Sequence, residues 1–316
     1  MRIAQVTEWC QAPKCFEYEA PDIPAPDSGY VQVKVLATGL HQLVRLRVNG
    51  RHYSAKSLPH NLGVDGVGIT SEGQEVYFFT YYGETGSFTE VINVPKEDVI
   101  PLPSKSLDKF QVAALVNPTM SSWMALRRRA LMTTNSNPPR PGFSVLIMGV
   151  TSLSGTLAVD VSRALGATRV IGCGRDEKRL ASLALDERIC LSNPIEETDF
   201  SSVGDVHVIL DYVYGPPTMA LFQSLKSTVP VQYVQIGDLA SKLLTLPSYT
   251  VRSRNLTITG SGLGSFSFNE LREELPEMLK VMENFLPQKL DVFPMSKIES
   301  VWEAKGDRRM VFVPGF

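Results

Sequence analysis

From residue 144 to residue 237, short apolar runs alternate with amphipathic runs long enough for helices, and this alternation constrains the chain more than any other feature. SVLIMG, RVIGCG, VHVILDYV and VQYVQIG read as strands, with NLTITGSG as one more beyond them. GTLAVDVSRALGA, DEKRLASLAL and PPTMALFQSLKS read as the helices between. Strands separated by helices of this length join a sheet through right-handed crossovers, so the pattern implies a parallel sheet with helices on its faces.

The first of these strands runs into GVTSLSG. A dinucleotide site on a parallel sheet needs a tight turn after its first strand and backbone N–H groups that approach the pyrophosphate at a helix N-terminus. Gly149 and Gly155 stand where the turn and the helix-strand packing leave no room for a side chain, while Thr151, Ser152 and Ser154 are small and carry hydroxyls. Ser152 replaces the middle glycine of the usual run. Glycine alone also serves any tight β-α turn, but a strand before, a helix after and a second strand about twenty residues on favour the nucleotide. That second strand ends in Gly172-Cys173-Gly174-Arg175, with Lys178 and Arg179 beyond and no acid at its tip. A ribose 2′-hydroxyl calls for an acid there and a 2′-phosphate for an arginine, so NADPH is expected rather than NADH.

The N-terminal third has another rhythm. YVQVKVLATGL, GVGITSEGQEVYFFTYY and GSFTEVINV alternate apolar and polar residues with turns between, as in a small, mostly antiparallel barrel. DKFQVAALVNPTMSSWMALRRRALM reads as one or two helices, followed by a proline-rich loop, TTNSNPPRPG. Near the C-terminus, Leu271, Leu275, Met278, Leu279, Met282 and Phe285 form one helical stripe. The strand, short helix and strand after it cannot easily extend a parallel sheet and are assigned to the first domain. A length of 316 residues suits two domains: 1–118 with 267–316, and 119–266. A net charge of −2 argues against nucleic acid or an anionic membrane surface as partner. No uncharged apolar run reaches the roughly 18 residues of a membrane span. Four cysteines without a C-x-x-C pair fit free thiols in a reducing, cytoplasmic setting.

Taken together, LATGLHQLVRLRVNGRHY, LGVDGVG, VNPTMSSWMALRRRA, GVTSLSG, VILDYVYG and VQIGDLASKLLTLPSYTVRSRNLTITGSGLGS, in that order, resemble the medium-chain dehydrogenase/reductase superfamily, in its zinc-independent quinone oxidoreductase branch. The resemblance implies an α/β chain: a GroES-like β-barrel catalytic domain plus a Rossmann doubly wound domain, with nicotinamide in the cleft between. Zinc-dependent relatives hold their metal at positions matching His41, Val64 and Asn117 here. Valine offers no lone pair and an amide is a poor zinc ligand, so no catalytic metal is expected.

Without a Lewis acid, the feasible chemistry is hydride delivery to an electron-poor carbon, as in a quinone or an α,β-unsaturated carbonyl. The candidate hydrogen-bond or proton donors are Tyr53, His41 and Asn117. By resemblance Ser121 touches the nicotinamide half and the Leu153-Ser154 peptide the pyrophosphate. Tyr212, with the turn to Gly215, and Ile236-Gly237 end neighbouring strands where ligands gather. Asp211 reads as a cap or a backbone-bonding residue rather than a base, and Arg127, Arg128 and Arg129 as a solvated or subunit-facing surface. The expected function is NADPH-dependent reduction of a small-molecule quinone or enone. The alternatives are a dedicated enoyl or enone reductase of a biosynthetic pathway, or a non-catalytic NADPH-binding redox sensor. A homodimer paired through NLTITGSG is also expected from the resemblance.

Overall fold

The computed structural model describes the chain except residues 53, 82–84, 105–106, 131–141, 305, 307 and 316. Most of the proline-rich segment read as a loop lies outside the described residues. The chain divides into two compact units, Met1–Asn117 with Leu275–Phe316, and Pro118–Glu274.

The first unit opens with β1 (Arg2–Val6), β2 (Lys14–Glu17), β3 (Tyr30–Gly39), α1 (Gln42–Val48), β4 (His60–Asn61), β5 (Asp65–Thr70), β6 (Glu75–Phe79), β7 (Val91–Pro95) and β8 (Val99–Pro101). β1 pairs antiparallel with β2 and β4. The ten residues of β3 serve several partners: Tyr30 to Lys34 face β7, and Val33 to Ala37 face β5 across a register shift. Its alternation decides which face is buried. Val33 and Val35 pack with Val76, Phe78, Ile92 and Val94, while Lys34 points to solvent.

Asp108 starts α2 (Lys109–Met124) by accepting the N–H groups of Phe110 and Gln111, both at 2.9 Å. The helix continues as a π-helical turn, Ala125–Arg129. The second unit then runs β9 (Ser144–Met148), α3 (Leu153–Ala164), β10 (Arg169–Gly174), α4 (Glu177–Ala181), β11 (Glu187–Cys190), β12 (Val208–Asp211), α5 (Pro216–Ser224), β13 (Val231–Gln235), α6 (Ser248–Arg252) and β14 (Leu256–Gly260), and α7 (Phe268–Met282) begins in it and passes at Leu275 into the first unit. The sheet order is β11-β10-β9-β12-β13-β14, every pair parallel. Numbered within the sheet this is 3-2-1-4-5-6, the doubly wound order, whose direction of growth reverses between its first and fourth strands. All five residues of β9 are buried, as a central parallel strand requires. Leu146, Met148, Ile171, Ile209 and Tyr233 pack against Leu221 and Phe222 of α5.

β11 is an edge strand with one buried residue, Ile189, too short and polar to read from its sequence. Leu271, Leu275, Met278, Leu279 and Met282 of α7 are all buried, as the stripe predicts, whereas Phe285 lies past the end of the helix and is only partly buried. The first unit continues with β15 (Leu290–Pro294), α8 (Ile298–Val301) and β16 (Arg309–Val313). β15 and β16 are parallel to each other, and β16 pairs with Thr38 and Gly39 of β3.

Candidate active site

Register builds the rim of the second unit. Met148 is level with Cys173 on one side and Asp211 on the other, and Asp211 is level with Gln235. The residues one step further, Gly174, Gly149, Tyr212 and Ile236, therefore form one row at the carboxyl ends of four adjacent strands. This row spans the reversal of strand order, where sheets of this kind leave a crevice for ligands. All four residues are among those expected from the sequence to hold the cofactor.

The turn after β9 explains each small residue. Gly149 has φ of +85°, and an added Cβ would come within 3.0 Å of Val213. Gly155 lies so close to Gly149 O and Val150 that a Cβ would overlap both, at 2.3 and 2.7 Å. Ser152, by contrast, has extended backbone with φ of −74°, which any residue adopts. Its Oγ donates to Gly149 O at 2.8 Å and accepts from Gly155 N at 3.1 Å, capping α3. The serine thus contributes a cap where the usual motif has a glycine. The N–H groups of Thr151, Leu153 and Ser154 have no acceptor among the described residues. With the dipole of a twelve-residue helix behind them, they are donors suited to a pyrophosphate. Gly174 has no side chain because a Cβ there would meet Thr151 at 2.9 Å.

Arg175 follows Gly174 and is exposed, as are Lys178 and Arg179; none of the three makes an ion pair among the described residues. One element of the sequence reading is corrected. A carboxylate does stand just past the strand, at Asp176, but it accepts Arg179 N at 3.0 Å and caps α4. With Asp176 and Glu177 already at that helix start, the cations are not unbalanced by the helix dipole as expected.

Tyr212 is buried and meets Ser121 at 3.0 Å. Ser121 Oγ donates to Pro118 O, so it accepts from the tyrosine. Burial pushes the Tyr212 phenol up to about 12. Ile236 N and Gly237 N both donate to Asp211 O, and a Cβ on Gly237 would meet Tyr212 O at 2.9 Å. Asp211 is a backbone-bonding residue, one of the two expectations for it, while the cap position of α5 is Gly215. Its Oδ1 accepts the N–H groups of Val213 and Tyr214, and its Oδ2 accepts the hydroxyls of Thr218 and Tyr233. Four donors leave it no lone pair suited to a base.

In the first unit His41 is buried just before α1, and its Nε2 lies 2.8 Å from Asp65 Oδ1. Asp65 Oδ2 accepts from Tyr77 Oη at 2.8 Å. Tyr77 bonds to Tyr81, whose Oη accepts from Asn117 Nδ2 at 2.9 Å. The structure thus links His41 and Asn117 through three residues that the sequence reading missed. Asp65 stands in LGVDGVG and its chemistry was available there, but neither tyrosine carries a local signal. Val64 is fully buried and offers no donor. Among the described residues no group of three His, Cys, Asp or Glu side chains could hold a metal ion. Tyr53 lies outside the described residues.

The arginine triplet is not a solvated face. Glu274, 2% exposed, accepts from Trp123 Nε1, Arg127 Nε and Arg128 Nε at 2.7 to 2.8 Å. Arg129 Nε donates to Gly260 O at 2.8 Å. The cause is a buried carboxylate far along the chain, which must be paired and draws the cations inward.

No family model matches the chain. It is 33% identical, over 99% of its length and the whole of its relative, to the probable NADPH-dependent quinone reductase tdiC of Emericella nidulans. The chain belongs to the medium-chain dehydrogenase/reductase superfamily, in its quinone oxidoreductase-like branch. Its α/β fold, a GroES-like half with a doubly wound half, is the family's. Escherichia coli quinone oxidoreductase, solved with NADPH, superposes with a TM-score of 0.78 at 17% identity, covering 99% of this chain and all of that one. An NAD-dependent alcohol dehydrogenase superposes at 0.80 with 19% identity over the full length of both. At that distance the likeness concerns the fold alone, and within the family the site decides the chemistry.

Proposed function

We infer that the protein is an NADPH-dependent, zinc-independent oxidoreductase that reduces a quinone or the activated double bond of an α,β-unsaturated carbonyl. The observation that carries this reading is the row Gly174, Gly149, Tyr212 and Ile236 at the reversal of strand order, beside a helix start with open N–H groups. The turn of Gly149 to Ser154 fits a pyrophosphate, and Arg175, with Arg179, is the group for the 2′-phosphate. Ser121, Tyr212 and Ile236-Gly237 are placed in our reading against the nicotinamide half. Bound NADPH supplies a hydride. The unit of Met1–Asn117 and Leu275–Phe316 is then the catalytic half, with His41, Asn117 and Tyr53 as its donors.

Zinc independence is supported by the donor set. Val64 has no lone pair, the Nε2 of His41 is committed to Asp65, and the amide of Asn117 donates to Tyr81. Reduction must then rely on acceptors that are electrophilic by themselves. A homodimer is supported by β14, which ends the sheet with Thr257 and Ile258 exposed. No helix among the described residues is long and apolar enough to cross a membrane, and four free cysteines support a reducing compartment such as the cytoplasm.

NADPH loss measured with a panel of quinones and enones tests the reading. Turnover of either class sustains it, and the preferred class separates a general quinone reductase from a dedicated enone reductase. Tight NADPH binding with no acceptor reduced means a redox sensor. Arg175→Ala is expected to weaken NADPH by about tenfold to a hundredfold in calorimetry and to leave NADH unchanged. Equal loss for both coenzymes would remove Arg175 from the phosphate site.

A further inference from the structure

The second unit holds a cavity apart from the row of strand ends. It lies between α5 and residues 241–245 and has a volume of about 340 Å³, within the range that accommodates small molecules. Its roof hangs from the end of β12: Leu239 N donates to Tyr212 O, and Ala240 N to Val213 O. From there the chain turns back over α5, and Ser241 Oγ holds the turn by donating to Leu243 O and accepting from Leu243 N. Gly215 has φ of +79°, and a Cβ there would come within 2.5 Å of Ser241 Cβ, so floor and roof meet closely at one end.

The floor is one face of the helix. Pro216, Met219, Ala220 and Gln223 have the spacing of neighbours on a helix surface, and together they make a stripe roughly 10 Å long. Met219 and Leu244 are partly buried and pack on the core of the sheet, and Leu243 adds an apolar side chain to the roof although it is 81% exposed. Among the lining residues the one charge is Glu196, on the 3-10 turn Ile195–Glu197 packed against α5. Its carboxylate has no cation or hydrogen-bond donor among the described residues, and the Gln223 amide and the Thr245 hydroxyl also have no partner there. Arg254 donates to the main-chain oxygen of Gln223 and does not line the cavity. An anion finds little at the start of α5, because Pro216 and Pro217 carry no N–H. An ammonium finds an unpaired carboxylate and the side-chain oxygens of Gln223 and Thr245.

We propose that this cavity is a second binding site, for a small organic cation whose ammonium head pairs with Glu196 while its apolar body lies along Met219, Ala220, Leu243 and Leu244. The site goes beyond the oxidoreductase activity and is separate from the cofactor's, since Gly174, Gly149, Tyr212 and Ile236 are absent from its lining. Cofactor and amine are therefore held at the same time. Glu196 is exposed, so its ion pair is weak and selects the charge of the ligand. The apolar wall supplies most of the affinity.

Full-length protein carrying carbon-13 methionine methyl groups tests the site by magnetic resonance, with Met219→Leu used to assign the Met219 signal. Titration with n-hexylammonium is expected to shift that signal saturably, with half-saturation at about a millimolar, and to leave Met295 of the first unit in place. Hexanoate is expected to bind about fivefold more weakly or worse. Glu196→Gln, a change at an exposed position, is expected to weaken hexylammonium about fivefold and to leave uncharged n-hexanol unchanged. A Met219 signal that none of the three ligands moves overturns the site. Equal affinities for hexylammonium and hexanoate overturn the assignment of a cation, as does a Glu196→Gln variant that binds hexylammonium like the wild type. NADPH affinity in calorimetry is expected to be unchanged by saturating hexylammonium; competition between the two would make the cavity part of the cofactor site and overturn the proposal.

Discussion

His60, on β4, is half-buried with its ring 5.8 Å from that of Trp9. Burial, with the positive charge of Arg47 second, lowers its pKa to about 4, against about 6.5 in an unfolded chain. Between those values the unfolded state binds the extra proton and the folded state does not, so stability falls as pH drops through that window. His60→Asn is expected to flatten this part of the curve, read as a smaller shift of the urea midpoint between about pH 7 and pH 4.5; an unchanged shift would assign the slope to other groups. At this scale the sequence was legible where chemistry is local. Gly149 and Gly155 are demanded by φ and by close approach, and both needs were visible in the strand-turn-helix pattern. Ser152 was visible as a departure, although its role as a cap was not. Tyr77 and Tyr81 stayed hidden, and Asp65 was in view only as part of LGVDGVG, because what joins them is contact in space, which no spacing along the chain encodes.

Among the elements, the alternation that announced the parallel sheet depends on apolar period and survived translation into structure. β11 escaped notice because an edge strand needs only one buried side chain. The π-helical turn after α2 was hidden for a different reason: Arg127 and Arg128 are held by Glu274 on α7 and Arg129 by Gly260 O, contacts remote in sequence. That carboxylate is the polar centre joining the end of α2 to α7. Glu274→Leu is expected to destabilise the protein by about 3 kcal/mol in denaturant unfolding, because it strands the partly buried Arg127 guanidinium and the Trp123 N–H and leaves Arg128 with Glu273 alone. A loss below about 1 kcal/mol would mean that the arginines turn out to solvent instead.

For the whole molecule, the exposed edge of β14 bears on assembly. Ile258, Val251 and Tyr249 are 42%, 41% and 53% exposed, a run of apolar side chains along and beside an open strand. Analytical ultracentrifugation is expected to find a dimer for the wild type and a monomer for Ile258→Lys; dimers in both would place the contact elsewhere. A different consequence follows from β3, whose far end pairs with β16 beside Leu40. During translation the backbone next to His41 is made early, yet the strand that closes it leaves the ribosome only after every residue of 118–274. The nascent chain must therefore keep an unfinished sheet edge unpaired through most of its synthesis, a long exposure in which a holding chaperone or slow elongation has the most to protect.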